Sequence, residues 1–349
     1  MQFLKFNHQF YMGVDLHSRS AYLCIMDRKG KVLLHRPVPC DDPAPFLIAV
    51  KPYQHDIVVG VETTFNWYFL ADLCRQHHIH FVLGHALYMK AIHGGKKKND
   101  RLDSRTIAEL LRSGMFPPAY AYPEKMRPTR DLLRRRHGFV RQRAGLYRHI
   151  NLCFYQQGKK PPALASIKKR ARQEEIIHGL RGEDLRLSVA SDFEMIASLT
   201  RVIVSLEKQV FKRAKYHNRK YLSQLLSIPG CGEISAFNTI YEAHDMARFP
   251  KAQNFSSYCR TVKGKHVSAG KTYRSSNQKI GNPYLKWTMS EIAVHAGTYS
   301  EVMKKYHEGL LKRFPRGKSW AVLAHKITIA IYFMLKNGEV FDENRFVRG

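Results

Sequence analysis

The amino-terminal third of the chain alternates short apolar runs with polar turns and amphipathic stretches. Compact apolar runs bounded by turn residues are typical of strands, whereas apolar residues three or four apart are typical of helices. These patterns predict strands at residues 11–16, 21–26, 31–36, 57–61 and 79–83, and helices at 45–52 and 66–78. The turn Asp27-Arg28-Lys29-Gly30 separates the second strand from the third, so the first three strands follow one another as hairpins.

This order of elements predicts the fold of the first domain. Three hairpin strands followed by alternating helix and strand are typical of a ribonuclease H-like α/β fold, although other α/β layouts share the same periodicity. In the ribonuclease H-like arrangement the first and fourth strands are neighbours. We therefore expect an α/β domain over residues 1–122, with these two strands side by side.

The middle of the chain, residues 123–222, is basic and helical in pattern. A first amphipathic helix is broken at 158–162, where glycine and proline occur, and a second helix follows. The apolar residues of the second helix recur every seven positions with leucines between them: Ile196, Leu199, Ile203, Leu206 and Val210. This spacing fits a buried helix of a bundle and a dimerising coiled coil equally, so both interpretations stay open.

The last third, residues 223–349, is mainly helical in pattern and opens with a glycine turn. Pro229-Gly230-Cys231-Gly232 stands between an apolar run and a helix, which is the signature of a helix–hairpin–helix. Such a turn can face its backbone N–H groups to a phosphate, whereas a plain helical turn with a glycine cap explains the same residues. A polar, basic loop at 263–282 follows, and then amphipathic helices.

The net charge of the chain restricts the classes of function that it can have. The 349 residues include 58 Lys and Arg against 28 Asp and Glu, which gives a formal net charge of +30, and 44% of residues are hydrophobic. That hydrophobic share excludes wholesale disorder. A folded protein this basic is expected to bind a polyanion, most simply nucleic acid.

The cysteines and the amino-terminal residues indicate the cellular compartment in which the protein works. The six cysteines form no CxxC pair, which argues against zinc fingers and a disulfide framework and favours a reducing environment. The amino terminus lacks the apolar core of a signal peptide, and no uncharged run reaches the ~20 residues that span a bilayer. We therefore expect a cytoplasmic, nucleoid-associated protein with no membrane partner.

Acidic residues are scarce, so those that interrupt apolar strands stand out. Asp15 lies in the first predicted strand and Glu62 closes the fourth. Asp100 and Asp103 begin a predicted helix that runs to about Arg112, and their i, i+3 spacing places them on one helical face. Four converging carboxylates would repel each other unless divalent cations lay between them, and hard oxygen ligands suit Mg²⁺. We therefore expect a Mg²⁺ site that clamps a phosphodiester.

Each of these acids also has a structural interpretation. Asp15 or Glu62 alone is more often a strand-end residue bonded to backbone than a metal ligand. Asp100 with Asp103 fits a helix N-cap followed by a first-turn acid that complements the helix dipole. The set carries more weight than its members, because a ribonuclease H-like sheet brings the first and fourth strands together.

A second candidate site lies in the basic loop near the carboxyl end. Ser268 stands beside small residues, and Lys271, Arg274 and Lys279 follow it. A serine hydroxyl can attack phosphorus, and the cations would stabilise the charge that develops. Ser-Ala-Gly loops are also common as flexible phosphate contacts or linkers, and on composition alone the two serines after Arg274 compete for the role.

Two runs of basic residues are candidates for contacts with nucleic-acid phosphates. They are Lys96, Lys97 and Lys98, and Arg134, Arg135 and Arg136. The alternative is that both runs simply form solvated faces, as most charged runs do.

Five segments in order along the chain together resemble a known family. They are Gly13-Val14-Asp15-Leu16-His17-Ser18, Glu62-Thr63-Thr64, Lys98-Asn99-Asp100-Arg101-Leu102-Asp103-Ser104, Ile228-Pro229-Gly230-Cys231-Gly232, and Ser268 with Lys279-Ile280-Gly281-Asn282. The chain resembles the DEDD transposases of the insertion-sequence 110 family, and its Asp-Leu-His-Ser segment looks like the 1111 subgroup. Two segments depart from the family pattern: Ala269 follows the serine, where Gly is frequent, and Tyr258-Cys259-Arg260-Thr261 replaces Tyr-x-Gly-Leu.

The resemblance implies an architecture, a mechanism and partners. Such proteins join a RuvC-like domain to a mainly helical transposase domain through a helical coiled-coil region, and work as dimers that assemble into tetramers. They are similar to site-specific recombinases guided by a structured non-coding RNA, which pairs with donor and target DNA. By position, Ser268 matches the serine that forms a covalent link to DNA. The carboxylates that bind Mg²⁺ match Asp15, Glu62, Asp100 and Asp103.

The sequence therefore predicts an RNA-guided DNA recombinase of an insertion sequence, in which metal-bound carboxylates assist Ser268. Two other functions stay open. A metal-dependent nuclease or junction resolvase would use the four acids with a water nucleophile and would not need Ser268. A non-catalytic scaffold that binds nucleic acid would need neither.

Overall fold

The computed structural model of the chain describes residues 3–92, 99–214, 218–262, 265–268, 271–274 and 280–348; at 90–92, 265–268 and 271–274 it describes the backbone alone. The chain divides into two compact units, Met1–Lys125 and Met126–Gly349. In the part of the chain that the structure describes, no helix is both long enough and apolar enough to cross a membrane.

The first unit is built on five strands with helices between them. The strands are β1 (Phe10–Leu16), β2 (Ser20–Asp27), β3 (Val32–Pro39), β4 (Ile57–Glu62) and β5 (His80–Gly84). The helices are α1 (Ala44–Val50), α2 (Trp67–Gln76), α3 (Ala86–Ile92) and α4 (Asp100–Arg112). All five predicted strands are confirmed, as is the helix that begins at Asp100. The helix predicted at 45–52 ends two residues early and continues as a 3-10 helix, Lys51–Asp56, because Pro52 has no N–H for the α-helical hydrogen bond.

The strands form one mixed sheet in the order β3-β2-β1-β4-β5. The hairpin pairs β1–β2 and β2–β3 are antiparallel, whereas β1–β4 and β4–β5 are parallel. The predicted adjacency of the first and fourth strands is therefore confirmed. In this pair Val14 lies opposite Val61, so the next residues, Asp15 and Glu62, end the two strands at the same edge of the sheet.

Both faces of the sheet are covered, which explains why β1 and β4 are apolar almost throughout. Met12, Val14 and Val61 belong to the core on one face, together with residues of α1 and α2. Tyr11 and Val58 pack on the other face against α4. Because side chains alternate along a strand, Asp15 and Glu62 share the α4 face with Tyr11 and Val58.

Helix α4 lies unusually close to β1, and Gly13 permits this approach. A Cβ atom built on Gly13 would lie 2.1 Å from the Ser104 carbonyl oxygen and 2.4 Å from the Ala108 backbone nitrogen. No side chain fits there unless the helix backbone moves. The glycine therefore fixes how near α4 comes to the middle of β1 at Ser104 and Ala108, and with it the place of the helix start beside the strand.

The second unit is mainly helical. Its helices are α5 (Arg127–Gln156), α6 (Leu164–Ile167), α7 (Gln173–His178), α8 (Glu183–Ala214), α9 (Arg219–Leu226), α10 (Glu233–Ala243), α11 (Ala252–Tyr258), α12 (Pro283–Tyr299), α13 (Glu301–Leu311), α14 (Arg316–Asn337) and α15 (Glu343–Arg348). A two-stranded antiparallel hairpin, β6 (Lys265–Ser268) and β7 (Lys271–Arg274), stands between α11 and α12.

Helices α5 and α8 form an antiparallel pair. Three contacts in reverse order along the two helices establish the direction: Arg136 with Glu207, Arg143 with Thr200, and His149 with Asp192. Four of the five residues in the seven-residue repeat of α8 are buried inside this unit: Ile196, Leu199, Ile203 and Val210. The repeat therefore packs within the chain, as a helix of a bundle does.

The glycine turn joins α9 to α10. Gly230 has φ of +79°, and a Cβ atom there would lie 2.4 Å from the Ala296 backbone nitrogen of α12. Glycine therefore supplies both the left-handed conformation and the space that the turn needs against α12.

Gly13→Ala tests the close approach of α4 to β1. We expect the substitution to lower the free energy of unfolding by about 3 kcal/mol, the upper end of overpacking effects, because backbone atoms rather than side chains have to move. Denaturant titration measures the change.

Gly138→Ala on α5 is the matched control. A Cβ atom there meets nothing within 4 Å, so the better helix propensity of alanine is expected to stabilise the protein by up to about 1 kcal/mol. Similar effects of the two substitutions would contradict the role assigned to Gly13.

Candidate functional site

Three polar side chains meet at the end of β1. The Asp15 side chain is 13% exposed, and its Oδ2 lies 3.1 Å from His17 Nε2. The same nitrogen lies 3.4 Å from Oδ1 of Asp100, at the start of α4. One ligand atom from each of the three residues lies within 4.8 Å of the other two. The end of β1 and the first turn of α4 therefore form one cluster of oxygen and nitrogen donors.

Asn99 is the N-cap of α4. Its side-chain oxygen accepts a hydrogen bond from the Arg101 backbone N–H at 3.0 Å. The interpretation of Asp100 as the cap is therefore wrong, and both Asp100 and Asp103 lie in the first helical turn. The helix dipole favours acids in that turn, which allows two carboxylates close to Asp15.

The electrostatic setting of Asp15 is unfavourable for a bare carboxylate. Burial raises the pKa of Asp15, and the negative charges of Asp103 and Asp100 raise it further, whereas His17 lowers it. The pKa of Asp15 lies above its usual value, so His17 only partly offsets burial and like charge. A divalent cation among these carboxylates would remove the penalty.

Glu62 and Asp103 have different relations to this cluster. Asp103 acts on Asp15 through its charge, and Glu62 ends the neighbouring strand on the same face of the sheet. Among the described residues, neither belongs to the group whose ligand atoms lie within 4.8 Å of one another. Of the four predicted acids, Asp15 and Asp100 are thus brought together directly.

The donors present suit a divalent cation. The carboxylate oxygens of Asp15 and Asp100 are hard ligands, which Mg²⁺ and Mn²⁺ prefer, and the His17 imidazole also suits Mn²⁺ and softer transition metals. The donor set therefore fits a divalent metal without selecting Mg²⁺. Sequence reasoning did not assign a role to His17. It was detectable, because residues i and i+2 of an extended segment share a face and His17 follows Asp15 by two positions.

The predicted phosphate contacts differ in their surroundings. Arg134 and Arg136 form ion pairs with the carboxylates of Glu242 and Glu207, so both arginines already have an anionic partner within the second unit. Arg135 is exposed, with its guanidinium 4.3 Å above the Phe139 ring. Lys96, Lys97, Lys98 and Lys279 lie outside the described residues.

Ser268 is the last residue of β6. In the hairpin it pairs with Lys271, while Lys265 pairs with Arg274, so the predicted basic loop contains a short sheet. Ala269 lies outside the described residues. Ser268 belongs to the second unit and the carboxylates to the first.

Asp15→Asn is expected to raise the stability of the metal-free protein at neutral pH. The pKa of Asp15 is higher in the folded than in the unfolded chain, so its charged form opposes folding. This penalty is present above the folded pKa and disappears as the pH falls through it, because the carboxyl takes up a proton. Denaturant titrations at neutral and acidic pH are expected to show a difference that vanishes in acid.

Asp56→Asn is the control with the opposite sign. The His8 imidazole, 2.7 Å from Asp56 Oδ1, and the Gln9 backbone N–H hold the pKa of Asp56 below its usual value. Its charged form therefore favours folding, so the substitution is expected to lower stability at neutral pH. A loss of stability in Asp15→Asn under the same conditions would contradict the electrostatic account of the cluster.

Two family models match the chain, and between them they include both candidate sites. A model described as transposase, for the DEDD proteins of IS110, matches residues 12–154, which contain all four predicted acids. A model described as transposase IS116/IS110/IS902 family matches residues 222–308, which contain Ser268. No curated protein matches the chain. The protein therefore carries the DNA-processing transposase domains of the insertion-sequence IS110 family.

Proposed function

We propose that this protein is an RNA-guided DNA recombinase of an insertion sequence, which breaks and rejoins DNA through a serine–DNA covalent intermediate. One observation carries the proposal: Asp15, Asp100 and His17 converge at a sheet edge where burial and like charge raise the pKa of Asp15. Carboxylates that lie close together despite their mutual repulsion are typical of sites that bind metal ions for phosphoryl transfer. The two transposase domains support the same class of reaction.

The proposed architecture has three parts. A RuvC-like domain over residues 1–122 is supported by the mixed sheet with β1 between β2 and β4. A helical region over 123–222 contains the antiparallel α5–α8 pair. A transposase domain over 223–349 carries the serine hairpin.

Asp15, Glu62, Asp100 and Asp103 are proposed to hold the metal, with Mg²⁺ as the ion that carboxylate oxygens suit best in the cell. When bound, the ion would stabilise the charge on the phosphate oxygens at the bond that breaks. His17 holds Asp15 and Asp100 through contacts to both carboxylates, and so orients them. Glu62 adds its carboxylate from the adjacent strand end.

Ser268 is the proposed nucleophile. Its Oγ attacks a backbone phosphorus, so an Oγ–P bond forms while one phosphorus–oxygen bond of the DNA breaks. The Oγ proton goes to a base or to solvent, and the leaving oxygen takes up a proton. Rejoining reverses these steps and restores the serine hydroxyl, so the phosphate bond energy is conserved. Lys271, paired with Ser268 across the hairpin, and Arg274 are suited to stabilise the charge that develops.

The proposed partners are a guide RNA, donor and target double-stranded DNA, and further copies of this chain, as a dimer that forms a tetramer on DNA. The net charge of +30 supports the nucleic-acid partners, since one assembly has to neutralise several phosphate backbones. The proposed phosphate contacts are Lys96, Lys97, Lys98, Arg134, Arg135, Arg136, Lys271, Arg274 and Lys279. A nucleoid-associated location follows from the same partners.

Ser268→Ala tests the covalent mechanism. The purified protein, with the RNA that accompanies it, is incubated with donor DNA and Mg²⁺, and covalent protein–DNA adducts are counted after denaturation. We expect the substitution to reduce adducts at least ~10³-fold, as the loss of a nucleophile does in other enzymes. Ribonuclease treatment before the reaction is expected to abolish site-specific adducts as well.

Ser290→Ala is the control, because Ser290 is an exposed serine of α12 whose hydroxyl donates to the Lys286 carbonyl oxygen at 3.0 Å in its own helix. Its adduct yield is expected to match that of the unchanged protein. Metal-dependent cutting that persists in Ser268→Ala would favour a resolvase with a water nucleophile. Adducts that survive ribonuclease at the same sites would contradict RNA guidance.

A further inference from the structure

A buried carboxylate joins three helices of the second unit. Glu242 of α10 has a side chain that is 1% exposed. Its Oε2 lies 3.0 Å from Arg130 Nη2, and its Oε1 accepts from Arg134 Nε at 2.6 Å. Burial raises the pKa of Glu242, but the Arg134 and Arg130 guanidiniums outweigh burial and hold the pKa below its usual value. Glu242 is therefore a charged residue inside the core, and it ties α10 to α5.

Asn282 connects this carboxylate to the start of α12. Its Nδ2 donates to Glu242 Oε2 at 2.7 Å, while its Oδ1 accepts from the Tyr284 and Leu285 backbone N–H groups at 2.9 and 3.1 Å. One amide thus caps α12 and binds the buried acid at the same time. The Arg134 guanidinium also lies 4.5 Å from the centre of the Tyr284 ring, which adds a second link between α5 and α12.

The same network reaches the end of α11. The Tyr258 hydroxyl donates to the Glu242 carbonyl oxygen at 3.4 Å and accepts from Asn282 Nδ2 at 3.3 Å. The Asn282 backbone N–H donates to the Tyr258 carbonyl oxygen at 2.6 Å. Gly281 has φ of +86°, and a Cβ atom on it would lie 2.7 Å from that carbonyl oxygen. The end of α11 and the start of α12 are therefore in direct contact.

The chain between Tyr258 and Asn282, here called the hairpin segment, contains the β6–β7 hairpin and Ser268. Closing a long loop has an entropic cost, and each bond between its ends offsets part of that cost. The hydrogen bond from the Asn282 backbone N–H to the Tyr258 carbonyl oxygen is one such bond. The Glu242 carboxylate also accepts a hydrogen bond from the side-chain amide of Asn282. The base of the hairpin segment is thus fixed to α5 and α10.

We propose that Glu242 and Asn282 are positioning residues that hold the base of the hairpin segment and so set where Ser268 is presented to DNA. The inference rests on the proposed function, in which Ser268 is the nucleophile. Neither positioning residue touches the reacting atoms. Their effect is on the placement of Ser268, and a displacement of about 1 Å at a reacting group lowers a rate by as much as ~10²-fold.

Asn282→Ser separates positioning from folding. Serine is also a preferred N-cap, so the first turn of α12 keeps an acceptor for its N–H groups. The serine side chain is shorter than the amide, so the hydrogen bond from Asn282 to the Glu242 carboxylate is lost. Asn218→Ser is the matched control, because Asn218 caps a different helix, α9, by accepting from the Tyr221 N–H at 3.0 Å.

Two measurements are made on the full-length protein with its RNA. The first is amide hydrogen exchange in β6 and β7, which is expected to quicken at least ~10-fold in Asn282→Ser and to stay unchanged in Asn218→Ser. The second is the single-turnover rate of adduct formation. This rate is expected to fall ~10- to 100-fold in Asn282→Ser, with DNA affinity within about twofold of the unchanged protein.

Unchanged exchange in β6 and β7 together with an unchanged rate would overturn the inference. If Asn282→Ser fails to fold, Asn282→Asp replaces it, since aspartate keeps an acceptor for the cap of α12 but has no N–H group to donate to Glu242. The same two readouts then apply to Asn282→Asp, and unchanged values again refute positioning. Failure of the proposed function is distinct: adducts would persist in Ser268→Ala, while the exchange result in Asn282→Ser would be unaffected.

Discussion

The contact between the backbone of α4 and β1 at Gly13 is the constraint on which the carboxylate site depends. The absence of a side chain at that one position lets the helix backbone at Ser104 and Ala108 pack against the middle of the strand, and the first turn of the helix then reaches the end of the strand. Asp100 and Asp103 then face Asp15, although they are far from it in the chain. The parallel pairing of β1 with β4 adds Glu62 at the same sheet edge and on the same face. Backbone geometry therefore gathers like charges that would otherwise separate.

Two acids of low solvent exposure, Glu242 and Asp15, have contrasting surroundings. Glu242 is surrounded by two guanidiniums and an amide, which hold its pKa below the usual value, so the carboxylate is charged and already paired inside the core. Asp15 is half-buried beside other acids with one histidine, and its pKa is raised. The first arrangement is complete without any further ion, whereas the second favours a cation from solution. This difference, rather than the number of acids, separates a structural carboxylate from a candidate metal ligand.

Local patterns predicted the elements of the first unit, because apolar runs and turn residues act over a few positions. The order of the strands also followed, and with it the adjacency of Asp15 and Glu62. Contacts between side chains that are distant in sequence were not predictable from such local patterns. Arg134 and Arg136 look like a solvated or phosphate-binding run, and only the packing of α5 against α10 and α8 gives them Glu242 and Glu207. The seven-residue repeat of α8 has the same form whether its partner lies in this chain or in another.

Binding of Mn²⁺, followed by electron paramagnetic resonance, tests the central claim that the end of β1 and the start of α4 form a cation site. The account predicts a site whose affinity falls at least ~10-fold in Asp100→Asn, since a ligand carboxylate is lost. Asp41→Asn, at an exposed position outside the cluster, is expected to bind Mn²⁺ as the unchanged protein does. Equal Mn²⁺ affinity in Asp100→Asn and in the unchanged protein would contradict the account.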